Sequence, residues 1–410
     1  MLRRTDLVID VDLLDRLPTP YGLVRAGVAP DHQKIKAVTA TFDKTAAHPR
    51  FRFFGGVELG KHVDVEDLRA HYHQIAYTTG AQTDRRMGIP GEDLPGSHPA
   101  TEFVAWYNGH PDYQGLRFDL SVECAVVIGN GNVALDVARM LALTPEELAP
   151  TDTTDAAIEA LNAAAITEIV VVGRRGPAQA SFTTPELSEL GELAGADVIV
   201  DARRPAAGKP RRLTLRFLVS PVALTDSGAG AVGGIRLVRN RLVASATGTI
   251  QAQATDRSED LPVGLVFRSV GYRGVPLPGV PFDDKWGVVL NEKGRVLDPD
   301  SKQPRPGEYT AGWIKRGPSG VIGTNKPDAL ETVTAMLEDL AAGRLLEPAD
   351  AEPAAVERLL RQRQPLVLGY ADWLRLNALE VARGQARGRP RVKFTRVDEM
   401  LAALGNRSSG

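Results

Sequence analysis

A single cysteine, Cys124, is all the thiol chemistry this 410-residue sequence has. That excludes a Cys-x-x-Cys redox pair, an all-cysteine iron–sulfur cluster and a cysteine zinc site within the chain. An excess of charge is also lacking. Lys and Arg number 49 against 51 Asp and Glu, so the charge balance names no nucleic-acid partner. No apolar run reaches the roughly 18 residues of a membrane span. The opening Met1-Leu2-Arg3-Arg4-Thr5-Asp6 has no apolar core of a signal peptide, and a cytoplasmic chain without an integral membrane segment is the expectation. No internal repeat is visible beyond a possible duplication of nucleotide-binding units. The length suffices for two domains with substantial cores.

What is there begins at Cys124. Ala125-Val126-Val127-Ile128 is short, β-branched and uncharged, the pattern of a buried strand. It runs directly into Gly129-Asn130-Gly131-Asn132-Val133-Ala134 and then the helix-periodic Leu135, Val137, Ala138 and Leu141. Strand, glycine turn and helix together form a dinucleotide-binding fingerprint. Gly129 permits the tight turn, Gly131 lets backbone approach a pyrophosphate, and Ala134 keeps helix and sheet close. The pyrophosphate then meets the free N–H groups of the helix N-terminus. A second strand, Glu168 to Gly173, ends in Arg174-Arg175-Gly176. An NAD site usually has an acid there for the ribose 2′-hydroxyl, whereas two arginines suit a 2′-phosphate. NADP(H) is the better match, and a solvated strand-end pair is the plainer alternative.

Around this unit the chain alternates short strands and helices. Leu7 to Leu14 reads as a strand closed by Asp15, either a ribose-binding acid or a strand-end solvation residue. Asp31 is placed to cap a helix-like segment running to Thr45. Phe51 to Leu59 and Gln74 to Gly80 read as strands, and Val263 to Gly271 as a return strand. The helix Pro185 to Leu193 carries Glu186 and Glu189 on one face, as solvated acids unless a site lies beneath them. Arg203 to Arg216 holds six basic residues and no acid, either a solvated stretch or a surface for an acidic protein partner. In the last third, Tyr309 to Gly312 leads through Trp313 and a glycine-rich loop to a helix beginning near Pro327. Such a helix start favours negative charge on a neighbouring flavin ring, which Trp313 would cover unless it is simply packed core.

These strings together resemble the ferredoxin–NADP reductases of the adrenodoxin-reductase type, especially actinobacterial members. The resemblance rests on Leu17 to Arg25, Gly27 to His32, Phe51 to Gly55, Gly129 to Asp136, Gly173 to Gly176, Gly271 to Gly274 and Gly312 to Asn325, and covers nearly the whole chain. It implies an α/β fold of two nucleotide-binding, Rossmann-like domains of the glutathione-reductase type. FAD would sit in a discontinuous domain (1–97 and 275–410) and NADP(H) in the domain 98–274. Electrons would pass between NADP(H) and a ferredoxin-type iron–sulfur protein through FAD.

By the same resemblance, Asp15, Leu23, Leu59, Trp313, Gly320, Val321 and Ile322 hold FAD. Gly129, Asn130, Gly131, Asn132, Val133, Arg174, Arg175, Glu186 and Gly320 contact NADP. His32 and Glu189 lie by the reacting nicotinamide and flavin or on their proton traffic. Relatives of this type begin with a strand and glycine turn upstream of Leu7, so the first domain is expected to be truncated at its N-terminus. The segment 201–213 is shorter than in relatives. A non-catalytic NADP-binding remnant without flavin, and an enzyme using a quinone or dye as acceptor, are the alternative readings.

Overall fold

The uncharged run at Ala125–Ile128 offers apolar side chains to both sides, which suits a strand covered on two faces. In the computed structural model of the chain it lies inside a six-stranded parallel sheet. The structure describes residues 1–2, 4–200, 208–245, 248–318, 320 and 322–405.

From the N-terminus, β1 (Val11–Asp15) pairs in parallel with β2 (Phe51–Gly55). Between them lie α1 (Gly22–Ala26), α2 (Gln33–Lys36) and α3 (Thr39–Ala46). After β3 (Ile75–Tyr77) come β4 (Ser97–Pro99), α4 (Ala100–Asn108), β5 (Cys124–Ile128), α5 (Asn132–Ala142) and β6 (Glu168–Gly173). Next are α6 (Thr184–Leu190), β7 (Ala196–Val200) and β8 (Arg211–Phe217). An antiparallel meander of β9 (Val219–Asp226), β10 (Val232–Ala244) and β11 (Ile250–Pro262) precedes the return strand β12 (Leu265–Arg268). β13 (Pro304–Thr310), α7 (Asn325–Ala341) and α8 (Tyr370–Gln385) then rejoin the N-terminal elements.

The large sheet has the order β4-β12-β5-β6-β8-β7, with every ladder parallel. Ala125, Val127, Ile169 and Val171 face Leu135, Ala138 and Leu141 of α5. Val126, Ile128, Val170 and Val172 face Leu224, Ile235 and Leu237 of the meander. One face is thus covered by helix and the other by a second sheet, each buried leucine contributing about 1.5–3 kcal/mol. In the other half, β3 lies parallel to β13 within a four-stranded sheet; among the described residues no ladder joins it to the β1–β2 pair. The two connections between the halves run side by side. Thr83–Asp84 pairs with Tyr272–Arg273, and the Arg85 amide donates to the Gly271 carbonyl at 2.8 Å.

Several sequence-predicted bounds shorten. β1 begins at Val11 rather than Leu7 because its parallel partner β2 begins only at Phe51, opposite Val11; the ladder ends at Asp15 and Gly55, where the chain turns away at Gly56 with φ 84°. β2 accordingly stops before Leu59, β3 is only Ile75–Tyr77, and the return strand is only Leu265–Arg268. The segment after Asp31 breaks into two helices, and Asp31 caps neither. α7 begins at Asn325, so Pro327 is its third residue.

A buried charge cluster ties the halves together. Asp152 receives Lys36 at 2.6 Å from the N-terminal segment and Lys393 at 3.3 Å from the C-terminal one. Burial pushes the Asp152 pKa up, but the two ammoniums overcome this and hold it below the usual carboxylate range. Its stabilisation is therefore present above the unfolded value of about 4 and is lost as pH falls through the lower folded one. Asp152→Ala leaves two ammoniums buried without their acid. Denaturant titration at neutral pH should show a loss of about 3–5 kcal/mol, and a loss below about 1 kcal/mol would contradict the role given to this cluster.

Candidate functional site

The glycine turn has the steric logic read from its sequence. Gly129 has φ 137°, and a Cβ there would lie 2.1 Å from the Ser269 carbonyl oxygen of the neighbouring connection. At Gly131 a Cβ would meet nothing nearer than 4.0 Å, so room remains for a ligand to approach the backbone. Gly131 is also the N-cap of α5 and makes no side-chain cap, leaving first-turn N–H groups free to bind an anion. Asn132, the first residue of α5, fixes the facing loop. Its Oδ1 accepts from the Thr183 amide at 2.9 Å, and its Nδ2 donates to Glu186 Oε1 at 2.7 Å. Asn130 Nδ2, Gln179 Oε1 and Glu186 Oε2 are buried without a hydrogen-bond partner among the described residues. Donors and acceptors left unsatisfied beside an uncapped helix fit a polar, anionic ligand. Val133 continues the helix, partly buried against its core.

Arg174 and Arg175 stand just past β6, the first exposed and the second half-buried. Among the described residues neither guanidinium has a hydrogen-bond or ion-pair partner, although the Arg175 carbonyl takes the Leu218 amide and the Arg174 carbonyl takes Asn240 Nδ2. Fixed backbone and unengaged cations are what a phosphate monoester requires. The basic run further on is different. Its residues 203 and 204 lie outside the described residues. Arg211 donates to the carbonyls of Ala142, Leu143 and Ile166, while Arg212 pairs with Glu168 and Arg216 with Glu259. The described part of that run is therefore not a free basic face. It belongs to β8, where neighbouring elements supply acids absent from the run itself.

His32 and Glu189, 157 residues apart in sequence, meet with His32 Nε2 2.7 Å from Glu189 Oε2. Two residues that the sequence reading passed over complete this cluster. Arg139 of α5 is 5% exposed and reaches Asp31, Asp136 at 2.6 Å and His32 Nε2 at 2.9 Å. Asp136 lies one helical turn earlier and 3.9 Å from His32 Nδ1. Burial pushes the Asp136 pKa up to about 7, with His32 acting against it and the carboxylates of Glu186 and Glu189 adding to it. The available signal was an acid and a base at i and i+3 inside the otherwise apolar stripe of α5. Asp31 serves this cluster, and not the helix start assigned to it from sequence.

Asp15 ends β1, accepts from the Leu17 amide at 2.9 Å, and is pushed up to about 6 by burial. Leu23 is half exposed on α1, and Leu59 packs under the loop after β2. Trp313 stacks on Tyr272 with ring centres 5.5 Å apart, and its buried indole N–H has no partner. Gly320 has φ 80°, and a Cβ there would strike the Thr324 hydroxyl. Val321 lies outside the described residues, and Ile322 opens a short turn leading into α7. The Gly312 amide is tied to Asp328 of α7, which fixes the loop over the helix start. An unpaired indole N–H beside an aromatic stack, with an acid at the end of β1, fits a flavin dinucleotide. Tyr272 and Tyr107 both feel the charge of Asp136 in the His32 cluster. Both hydroxyls are raised strongly by burial, and Asp136 adds to each.

Comparison with known proteins gives a consistent picture. No family model matches the chain. It is 48% identical to a probable ferredoxin/ferredoxin–NADP reductase of Mycobacterium tuberculosis over 96% of its length and 71% of that protein. It is 46% identical to the NADPH-ferredoxin reductase FprA of the same organism, covering 97% of this chain and 92% of the relative. Human mitochondrial NADPH:adrenodoxin oxidoreductase is 42% identical, covering 97% and 87% respectively. The solved structure of Mycobacterium tuberculosis FprA in complex with NADPH superposes with a TM-score of 0.92 at 46% identity, covering 98% of this chain and 94% of that one.

The two turn glycines should separate folding from binding. Gly129→Ala adds strain of about 1–3 kcal/mol together with a clash against Ser269, and should lower the thermal midpoint. Gly131→Ala should fold normally and bind NADPH more weakly. Calorimetry and fluorescence titration check both, and equal effects on stability from the two variants would refute this division.

Proposed function

The chain belongs to the family of NADPH–ferredoxin and NADPH–adrenodoxin reductases, and from that premise we propose that it carries electrons between NADP(H) and a ferredoxin-type iron–sulfur protein through bound FAD. The observation that carries the nicotinamide part is the pair Arg174 and Arg175, two cations without partners at the end of the second strand of the glycine-turn unit. We assign NADP(H) to the domain 98–274 and FAD to the domain formed by 1–97 and 275–410.

In this reading the free N–H groups of α5 and the backbone at Gly129, Asn130, Gly131, Asn132 and Val133 receive the pyrophosphate. Arg174 and Arg175 take the 2′-phosphate, and the free oxygen of Glu186 is an acceptor for the ligand. Asp15, Leu23, Leu59, Trp313, Gly320, Val321 and Ile322 would hold FAD. Bound FAD supplies chemistry no side chain offers, accepting an electron pair and releasing electrons singly. With one half-buried thiol, Cys124, held protonated by burial with a pKa of about 11, the chain has no disulfide route for those electrons. His32 and Glu189 hold and move a proton at the boundary of the two halves. The half-buried stack of Trp313 on Tyr272 shields one side of that boundary from water.

Replacing Arg174 and Arg175 together by alanine tests the assignment. Each charge-assisted bond is worth about 1.5–3 kcal/mol, so NADPH affinity should fall roughly 10²–10⁴-fold. NADH affinity should change little. Parallel titrations with the two nucleotides decide it, and an equal loss for both would overturn the 2′-phosphate role.

A further inference from the structure

We propose that Arg139 is a positioning residue that decides which of the two His32 nitrogens carries the ring proton, and thereby when His32 pairs with Glu189. The inference rests on the placement of His32 and Glu189 at the reacting site, and adds a residue and a control to it.

The argument is one of donors and acceptors at a single atom. His32 Nε2 lies 2.9 Å from Arg139 Nη2 and 2.7 Å from Glu189 Oε2. A guanidinium can only donate, and an ionised carboxylate can only accept. When Nε2 carries its lone pair it accepts from Arg139 and has nothing to give Glu189. When Nε2 carries a proton it donates to Glu189 and can accept nothing from Arg139. One nitrogen therefore has two mutually exclusive partners. In the first state the ring proton sits on Nδ1, which faces Asp136 Oδ1 at 3.9 Å. Passing between the two neutral states takes one proton off Nδ1 and puts one on Nε2 through solvent, with no net gain or loss.

The two competitors differ in freedom. Arg139 is 5% exposed and anchored by Asp31 and Asp136, with its Nε 3.8 Å from Glu189. Glu189 is 36% exposed on the short helix α6 and is the partner able to move. The charged groups facing the ring are Asp31 from its own segment, Asp136 and Arg139 from α5, and Glu189 from α6, with Glu186 acting on the cluster from one turn away. Acid protonates both ring nitrogens, releases Nε2 from Arg139 and favours the Glu189 pair. Alkali returns Nε2 to Arg139. A reaction at this site that takes up or releases a proton thus has a two-position switch beside it, set by a cation that need not itself touch the substrate.

Nitrogen-15 NMR of the full-length protein reads the tautomer directly, with the His32 signals identified by their loss in His32→Gln. Wild type should show the Nδ1–H form wherever the ring is neutral, and a growing population with Nε2 protonated as acid is added. Glu189→Ala should hold the Nδ1–H form further into acid. Asp31→Asn/Arg139→Met, which removes a buried acid together with the buried base, should move the proton to Nε2 above neutrality. Arg139→Lys keeps a donor and should restore the Nδ1–H form. Should the double variant fail to fold, Glu189→Ala and Arg139→Lys still carry the test. An unchanged tautomer in the double variant, a protonated Nε2 in Glu189→Ala above neutrality, or loss of the Nδ1–H form in Arg139→Lys would each overturn the proposal. The readout needs no turnover, so a chain inactive with NADPH that shows these shifts would refute the proposed function and leave this inference standing.

Discussion

Burying the Arg139 guanidinium constrains much else in the molecule. Taking such a charge out of water costs several kcal/mol, recovered only while its acids stay within hydrogen-bond reach. Those acids come from both halves: Asp31 precedes α2, whereas Asp136 belongs to α5. The requirement to pair this one cation therefore fixes the N-terminal half against the parallel sheet at the candidate site itself. On another side of the joint, Asp152 does the same with Lys36 and Lys393, while Glu380 pairs with Arg25 and Arg391 inside the N- and C-terminal half itself. Each acid there is held below the usual carboxylate range by the cations around it, against the opposing effect of burial. A hydrophobic joint would tolerate sliding, but one built of buried ion pairs has few acceptable registers.

That rigidity gives the site its chemistry. In the proposed reading, the uncapped start of α5 and the Arg174–Arg175 pair would select a nucleotide carrying two anionic groups by position and charge. The Trp313–Tyr272 stack closes the opposite side with apolar surface, leaving one unpaired indole N–H. Between them, Asp136, His32, Arg139 and Glu189 form a polar seam where a proton can change owner without a large structural change.

How much of this was legible in sequence follows from how local each feature is. The glycine turn of α5 was readable because strand, turn and helix are consecutive residues whose types are dictated by short-range sterics. The arginines after β6 were readable for the same reason. His32 and Glu189 came only from family resemblance, since their meeting depends on the chain just before α2 reaching α5 and α6. Asp136 and Arg139 were hidden inside an apolar stripe, where periodicity draws attention to Leu135, Ala138 and Leu141 instead. The basic run ending at Arg216 misled because its acids, Glu168 and Glu259, arrive from other strands. Strand ends shifted because partners, and not propensity, decide where a ladder stops.

The proposed function has electrons pass between NADP(H) and a ferredoxin-type protein through a flavin on this chain. Rapid mixing tests it most directly, following the flavin band as NADPH is added without oxygen and again as an oxidised ferredoxin-type iron–sulfur protein is added. The account predicts bleaching by NADPH, much slower bleaching by NADH at the same concentration, and return of the band as two equivalents of the acceptor are reduced. A flavin bleached equally by both nucleotides, or one that stays reduced in the presence of the iron–sulfur protein, would contradict it.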